Sequence, residues 1–435
     1  MQGSTRKPWT VLIALMTVPF AMVLSNSMLI PVLPNIQRGL DTSLFRVGLI
    51  ITAFSVAAGI AIPFGGYLSD RFGRKIVIVP GLFLFGLGGL LAGLAPIFAQ
   101  QPYWLILAAR VLQGIGAGGT YQVSMALAGD IYQGRERSKT LGMLEASNGL
   151  GKVAAPIIGA AAGLLFWYAA FFIYPIVAWI AGAMVWFLIQ EPKHSGAKHQ
   201  SVREYFRLLQ NVWQLKALPL AILFFGGFLA LFMLFGLLSW FSDVLERSYD
   251  INGFGKGFVI AIPVLIMAIL SFITGILLQK KLSGYMKWVA VAGLVFSTAG
   301  LLSVGFDKGL IFLITSISLL GVGNGLFLPS INMLITSSVG TEARGILTSL
   351  YGTVRFMGAA LGPPAFGLLT ELGQLTMGLA SAGIMTLALL LTAFLVSQKK
   401  LLRGGSGGQQ VGSRPKPKIG ELVLSSFMHR RKKLE

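Results

Sequence analysis

Residues 45–75 read FRVGLIITAFSVAAGIAIPFGGYLSDRFGRK, and the character of the whole chain follows from this stretch. From Val47 to Ser69 it carries no charge, and then Asp70, Arg71, Arg74 and Lys75 crowd into one short turn. An apolar run of eighteen or more residues crosses roughly 30 Å of hydrocarbon as a helix, which satisfies its own backbone hydrogen bonds on the way. Such runs recur from Trp9 to Gln398. The pattern predicts spans at 9–32, 45–66, 76–98, 103–128, 141–164 and 167–190, then at 217–241, 258–279, 287–306, 309–334, 346–369 and 376–398. Of the 435 residues, 55% are hydrophobic and only 11% charged, with a mean hydropathy of +0.76. A soluble domain carries about 25% charged residues, so this chain lacks the surface for life in water. The expected class is an all-α integral membrane protein with twelve transmembrane helices, and not an enzyme.

The net charge of +20 would suggest nucleic acid in a soluble protein, but here topology accounts for it. Lys and Arg gather in alternate connections: Arg71, Arg74 and Lys75; Arg135, Arg137 and Lys139; Lys193 to Lys216; Lys280 and Lys281; Arg344; and the tail beyond Lys399. Basic loops stay on the cytoplasmic side, which places both termini and the central loop there, in a multi-pass protein of the plasma membrane. The chain has no Cys, so disulfides and thiolate metal sites are excluded, and His194, His199 and His429 lie in loops or the tail, where they make no metal cluster. No Gly-x-x-x-x-Gly-Lys-Ser/Thr loop is present, which argues against ATP and leaves an ion gradient as the energy source, with no cofactor. The first apolar run ends in Pro31-Val-Leu-Pro34 rather than a small-residue cleavage site, so it reads as a retained span. Trp9, Trp104, Trp167 and Trp240, near span ends, read as interfacial anchors.

The polar segment 191–216 divides the spans into six and six: a lobe over 1–190, a cytoplasmic loop, a second lobe over 217–398, and a basic tail over 399–435. That tail reads as disordered, with a basic end suited to anionic lipid. The lobes repeat one another. Gly114-Ile-Gly116-Ala-Gly118 recurs as Gly321-Val-Gly323-Asn-Gly325, an offset of 207 that also carries Arg137 onto Arg344 and Pro156 onto Pro363. Parallel repeats of this kind place a substrate site between the halves, near the middle of the membrane.

The turn Gly66-Tyr-Leu-Ser-Asp70-Arg71-Phe-Gly73-Arg74-Lys75 resembles the loop 2–3 signature of the major facilitator superfamily. By that resemblance Gly66, Asp70, Arg71, Gly73 and Arg74 form a conformational switch. Asp70 at a helix end suits pairing with Arg, the glycines suit a tight turn, and Lys75 is expected to back up Arg74. The corresponding turn of the second half, Gly275 to Lys281, lacks the acid. Arg110-Val-Leu-Gln113-Gly114 in span 4 is similar to the family's proton-coupling segment, and Gly142 through Gly151-Lys-Val-Ala-Ala155-Pro156-Ile-Ile-Gly159 resembles the span 5 motif of its antiporters, with Ala at two usual glycine positions. The resemblance covers the twelve spans and implies alternating access by a drug:proton antiporter working as a monomer.

Charged side chains inside spans are costly and mark pathways or ion pairs. Arg110, Gln113, Ala117 and Tyr121 share one stripe of a continuous helix, and Glu145, Asn148 and Lys152 share one stripe of span 5. At 1.5 Å per residue, Lys152, Arg355 and Arg110 all lie near the midplane. Glu145 is the carboxylate placed clearly inside a span, and with Arg110 it forms the expected proton-coupling pair; Asp130, at the end of span 4, is the second acid, either for protons or for the switch. Asn26, Gln113, Tyr121, Asn148, Lys152, Asn324 and Arg355 are candidates for substrate contact. The asparagines serve equally well as interhelical hydrogen bonds, and the arginines as groups snorkelling or bonded to carbonyls. The excess of cations points to export of small amphipathic compounds, anionic or phenolic, in exchange for protons. The alternatives are a lipid flippase of the same fold and a proton-coupled nutrient importer.

Overall fold

The computed structural model describes residues 8–191, 202–280, 282–306 and 308–402. The middle of the central loop and the tail from 403, with its expected lipid contact, lie outside the described residues. The first span comprises α1 (Pro8–Ser27) and α2 (Leu33–Gly39), separated by a single 3-10 turn at Ile30–Val32. Pro31 and Pro34 lack the N–H groups that would carry α1 onward. Then come α3 (Leu44–Phe72), α4 (Arg74–Phe98), the pair α5 (Pro102–Ala117) and α6 (Thr120–Ile131), α7 (Gly134–Ala162) and α8 (Ala169–Leu188). The second half comprises α9 (Val202–Arg247), kinked at Lys216, α10 (Gly253–Lys280), α11 (Met286–Val304), α12 (Leu310–Ser337), α13 (Thr341–Leu369), α14 (Gln374–Leu395) and the short α15 (Gln398–Leu402). These are the twelve expected spans.

Among the described residues, nine helices are long and apolar enough to cross a membrane by length and composition alone. The fourth, fifth and eleventh spans fall short. The fourth is split at Gly118–Gly119, while α7 and α13 carry charges within their apolar stretches. These three spans hold Arg110, Tyr121, Glu145, Asn148, Lys152 and Arg355.

Two apolar cores form, one from residues between Leu12 and Ile189, the other between Leu220 and Leu401 with Ile30 added. Small residues set the helix spacing in both, and the repeat is visible in what they touch. A Cβ on Gly114 would strike Phe54 and Ala57 of α3, and one on Gly116 would strike Gly81 and Phe85 of α4. In the second lobe Gly321 meets Pro263 of α10, and Gly323 meets Gly293 and Ser297 of α11. The span 5 ridge repeats likewise. Gly151 and Gly159 lie against Val23 and Met28 of the first span, while Gly358 and Gly362 lie against Phe228 and Phe232 of α9. Backbones this close gain dispersion and weak carbonyl contacts that lipid does not supply. Trp240, expected as an interfacial anchor, is instead 5% exposed in the second core. Trp9 and Trp104 are exposed, as an anchor requires.

The lobes meet through two antiparallel helix pairs, α3 with α13 and α7 with α10. We call the side holding Pro8 and Leu402 the terminal face. At the opposite face the pairs are tight. Gly48 abuts Pro364, Thr52 Oγ1 donates to the Ala360 carbonyl at 2.5 Å, and Gly257 abuts Pro156 and Ala160. Midway, Thr353 Oγ1 donates to the Gly59 carbonyl at 2.7 Å, and a Cβ on Gly149 would lie 3.9 Å from Ala268. The same register brings Gly142 opposite Gly275 at the terminal face, yet neither would meet anything within 4 Å. The α7–α10 pair therefore parts towards the terminal face, while α3 and α13 stay in contact as far as Gly66 and Ser349.

This packing makes a contrast testable by thermal unfolding in detergent. Gly159→Ala forces a methyl against the Met28 carbonyl and should cost about 1–3 kcal/mol. Gly142→Ala meets open space and should be neutral or slightly stabilising, by about 0.5 kcal/mol. Equal melting temperatures for the two variants would contradict the packing described.

Candidate functional site

Three polar assemblies occupy the first lobe and its border. The first forms at the terminal face where α3 passes into α4. Gly73 makes the turn with φ of +110°, a conformation that disfavours any side chain. Arg74 then folds back. It pairs with Asp70, donates from Nε to Asp130 Oδ2 at 3.2 Å and from Nη1 to Ser69 Oγ at 2.7 Å. Asp130 thus joins the turn expected to act as the switch. Glu191, at the end of the sixth span, accepts from the backbone N–H groups of Arg74 at 2.5 Å and Lys75 at 3.0 Å, capping α4. Lys75 turns away and donates to the carbonyls of Trp186 and Ile189, so it is not a reserve for Arg74 as expected. Arg71 stays outside the cluster, over the Phe72 ring at 5.3 Å. Gly66 faces the other lobe, where a Cβ would lie 3.8 Å from Ser349. Sequence reasoning missed Glu191, because a carboxylate at the edge of a polar loop looks like any solvated acid.

Arg110 forms the second assembly, deep in the lobe and fully buried. Its guanidinium donates to the carbonyls of Ile50 at 3.2 Å and Ser25 at 3.3 Å, to Asn26 Oδ1 at 2.9 Å and to Gln113 Oε1 at 2.6 Å. The Phe54 ring covers it at 4.4 Å and the Tyr174 ring at 5.9 Å. Asn26 in turn donates to Ser55 Oγ at 2.6 Å, and the Tyr174 hydroxyl donates to the Ser25 carbonyl at 2.7 Å. Four spans are tied together around one cation by amide and hydroxyl dipoles and ring faces, which stabilise charge in low dielectric. The expected cavity stripe through Arg110, Gln113, Ala117 and Tyr121 does not exist. Gly119, at φ +80°, breaks the helix between Ala117 and Thr120 and resets its phase, leaving Arg110 and Gln113 inside the lobe. Asn26 and Gln113, expected at the substrate, are 4% and 0% exposed and are engaged by Arg110. Asn324 is likewise 1% exposed and donates to the Ala230 carbonyl of α9 at 3.1 Å. Asn26 and Asn324 make interhelical bonds, and Gln113 holds Arg110 from the same helix.

The third assembly lies where the lobes face each other. Tyr121 donates its hydroxyl to Glu145 Oε1 at 2.5 Å, joining α6 to α7. Lys152, two turns further along α7, is within electrostatic range of both Glu145 and Arg355, the latter on α13 of the other lobe. Arg355 also acts on Tyr121 and stands 5.4 Å from the Tyr351 ring centre. Asn148 lies between Glu145 and Lys152 on α7, half-buried. Among the described residues, Arg355 Nε and the Tyr351 hydroxyl are buried with no protein hydrogen-bond partner. Each such atom costs about 1–3 kcal/mol unless something supplies the missing bond. Tyr351 escaped the sequence reading, which took up Tyr121 but not this residue; Gly227 of α9, against which its ring lies, makes the room for it.

The sequence profile described as "Major Facilitator Superfamily" matches residues 15–363. The chain belongs to the major facilitator superfamily. It is 39% identical over 391 residues to the bacillibactin exporter of Bacillus subtilis (strain 168), covering 89% of this chain and 97% of that protein. It is 28% identical over 376 residues to the multidrug efflux protein YfmO of the same organism, covering 82% and 86%. The fold matches a solved bacterial homologue of the human lysosomal transporter Spinster, inward-facing and unoccupied, with a TM-score of 0.74 at 17% identity, over 92% of this chain and 99% of that one. As a member of this superfamily the chain is a multi-pass membrane transporter of small molecules, not an enzyme.

The hub role of Arg74 in this facilitator gives a prediction opposite to simple charge counting. An exposed ion pair is worth about 0.2–1 kcal/mol, but the Arg74 side chain is only 16% exposed and joins two carboxylates and a hydroxyl. Arg74→Ala should therefore reduce transport at least as much as Asp70→Asn, each by about tenfold or more, with normal expression and membrane insertion. Wild-type uptake into inverted vesicles by either variant would remove the cluster from the transport cycle.

Proposed function

We propose that this transporter exports a small amphipathic compound, anionic or phenolic, in exchange for protons, with the terminal face in the cytoplasm of a plasma membrane. The observation that carries this reading is the interlobar cluster. Two cations, Lys152 and Arg355, approach from opposite lobes, the carboxylate near them is Glu145, and Glu145 already accepts from Tyr121. Charge in a membrane interior requires a partner, and an anionic group on the cargo would supply it. The unpartnered Arg355 Nε and Tyr351 hydroxyl offer the bonds that hold its oxygens.

Glu145 is the coupling acid in this reading. It faces Tyr121 and Lys152 at the same site, and exchange requires that this carboxylate carry its proton when the cargo has left. With the terminal face taken as cytoplasmic, the parting of α7 from α10 beside the basic loops supports loading from that side. Support for export comes from the relative named a bacillibactin exporter and the one named a multidrug efflux protein, and bacillibactin is the first compound to test.

Purified protein in liposomes checks both parts. Lys152→Ala should weaken binding of organic anions by about tenfold, the size of one charge-assisted hydrogen bond, and leave binding of quaternary ammonium dyes no weaker. Glu145→Gln should keep binding but lose uphill transport driven by a pH gradient. Tight binding of the cationic dyes alone, unchanged in Lys152→Ala, would refute the substrate class. Uphill transport by Glu145→Gln would move the coupling acid elsewhere.

A further inference from the structure

The opposite face is closed by ions as well as by tight backbone packing. Arg38, near the end of α2 in the first lobe, pairs with Glu246 in the last turn of α9 in the second. The other oxygen of Glu246 accepts from Lys256 Nζ, in the first turn of α10, at 2.6 Å. The two ends of this chain of charges differ. Lys256 and Glu246 side chains are 3% and 7% exposed, whereas Arg38 is 66% exposed. Alongside, Arg247 pairs with Asp243 at 2.7 Å and reaches Gln37 Oε1 of the first lobe at 3.4 Å. A cavity of about 190 Å³ adjoins the triad, walled by Pro31, Asn35, Ala160 and Gly163 of the first lobe and Gly253 of the second.

These contacts divide by what happens when the lobes part. Lys256 and Glu246 belong to one lobe and move together. Arg38 and Glu246 belong to different lobes, so their bond breaks whenever the opposite face opens. The single carboxylate does two things: it neutralises a buried Lys and holds a cation from across the seam. Removing it leaves Lys256 buried without its partner, a state relieved by water entering between the lobes.

We propose that Glu246 is a positioning residue of the transport cycle, locking the opposite face through Arg38 and so setting the population open to that side. The lock is independent of what the central site binds, because none of its members reaches the Lys152–Arg355 cluster. It complements the Asp70–Arg74–Asp130 assembly, whose bonds all lie inside one lobe at the other face.

The natural absence of Cys makes the test direct. Spin labels at Gln101→Cys and Glu371→Cys report the separation of the lobes at the opposite face, and labels at Gln133→Cys and Ser283→Cys report the terminal face. With the protein in lipid nanodiscs, Arg38→Gln should raise the long-distance population at the opposite face by about fivefold and shorten distances at the terminal face. Glu246→Gln should shift both at least as far, and Arg38→Lys should keep the parent distributions. Should Glu246→Gln fail to fold, Arg38→Gln decides alone, since its side chain is mostly exposed. Parent-like distances in Arg38→Gln would overturn the proposal, even with reduced transport, because a merely structural contact lowers activity without moving the label populations. The labels carry no substrate, so an error about cargo charge leaves this result unaffected.

Discussion

Water is absent from the hydrocarbon core, so every polar group placed there must find its partner in protein or cargo, and this constraint sorts the side chains of the transporter. Arg110 has its needs met by carbonyls, amides and aromatic faces drawn from four spans of one lobe. A group satisfied in that way makes the lobe rigid, since any slip between spans would strand a buried charge. Lys152 and Arg355 lie where the lobes meet, and Arg355 keeps an unmet donor. A surface that re-forms in every cycle does not hold permanent bonds without hindering the motion. The satisfied guanidinium of Arg110 inside one lobe and the unmet Nε of Arg355 where the lobes meet are two outcomes of that rule.

The twelve spans were legible because hydrocarbon thickness and hydropathy leave few alternatives. The switch turn was legible because Asp70, Gly73 and Arg74 make a local pattern, with the ion pair closing within one helical turn. The stripe through Arg110 and Tyr121 failed for a local reason. It assumed an unbroken helix, and the run Gly118-Gly119 admits the positive φ that ends α5. Asn26, Gln113 and Asn324 read as substrate contacts because an amide in a span looks the same whether it faces cargo, a buried Arg or a carbonyl; only its three-dimensional partner decides. Glu191 and the triad of Arg38, Glu246 and Lys256 sit at membrane borders, where charge is ordinary. Their meaning arises from partners far away in sequence, such as the 208-residue separation of Arg38 and Glu246.

The glycine ridges show why a motif can look weakened and still serve its purpose. Ala155 takes the central position of the Gly151–Gly159 ridge and is fully buried, while its counterpart one repeat later is Gly362, pressed on Phe232. What each position requires is a thin side chain facing a neighbouring backbone, and Ala meets this wherever the partner stands one methyl further away. The first-span contact at Gly159, against the Met28 carbonyl, leaves no such allowance. Ridge and gap together fix which parts of α7 move as one body with α1. The opposite surface of the same helix faces α10, tight at Gly257 and free at Gly275.

Helix α7 therefore holds a rigid seam on one side and a variable seam on the other, and the charges follow that division. Glu145, Asn148 and Lys152 cannot lie on the ridge, where no side chain fits, nor towards lipid, where no partner exists. They are left the interlobar side, which is closed at one end and parted at the other. A cargo that neutralises Lys152 and Arg355 removes the repulsion between two like charges approaching from different lobes. Closure of the terminal face then costs less with the cargo bound than without it. On the proposed reading, cargo binding favours the rocking of the lobes one way and the exchanged proton favours their return.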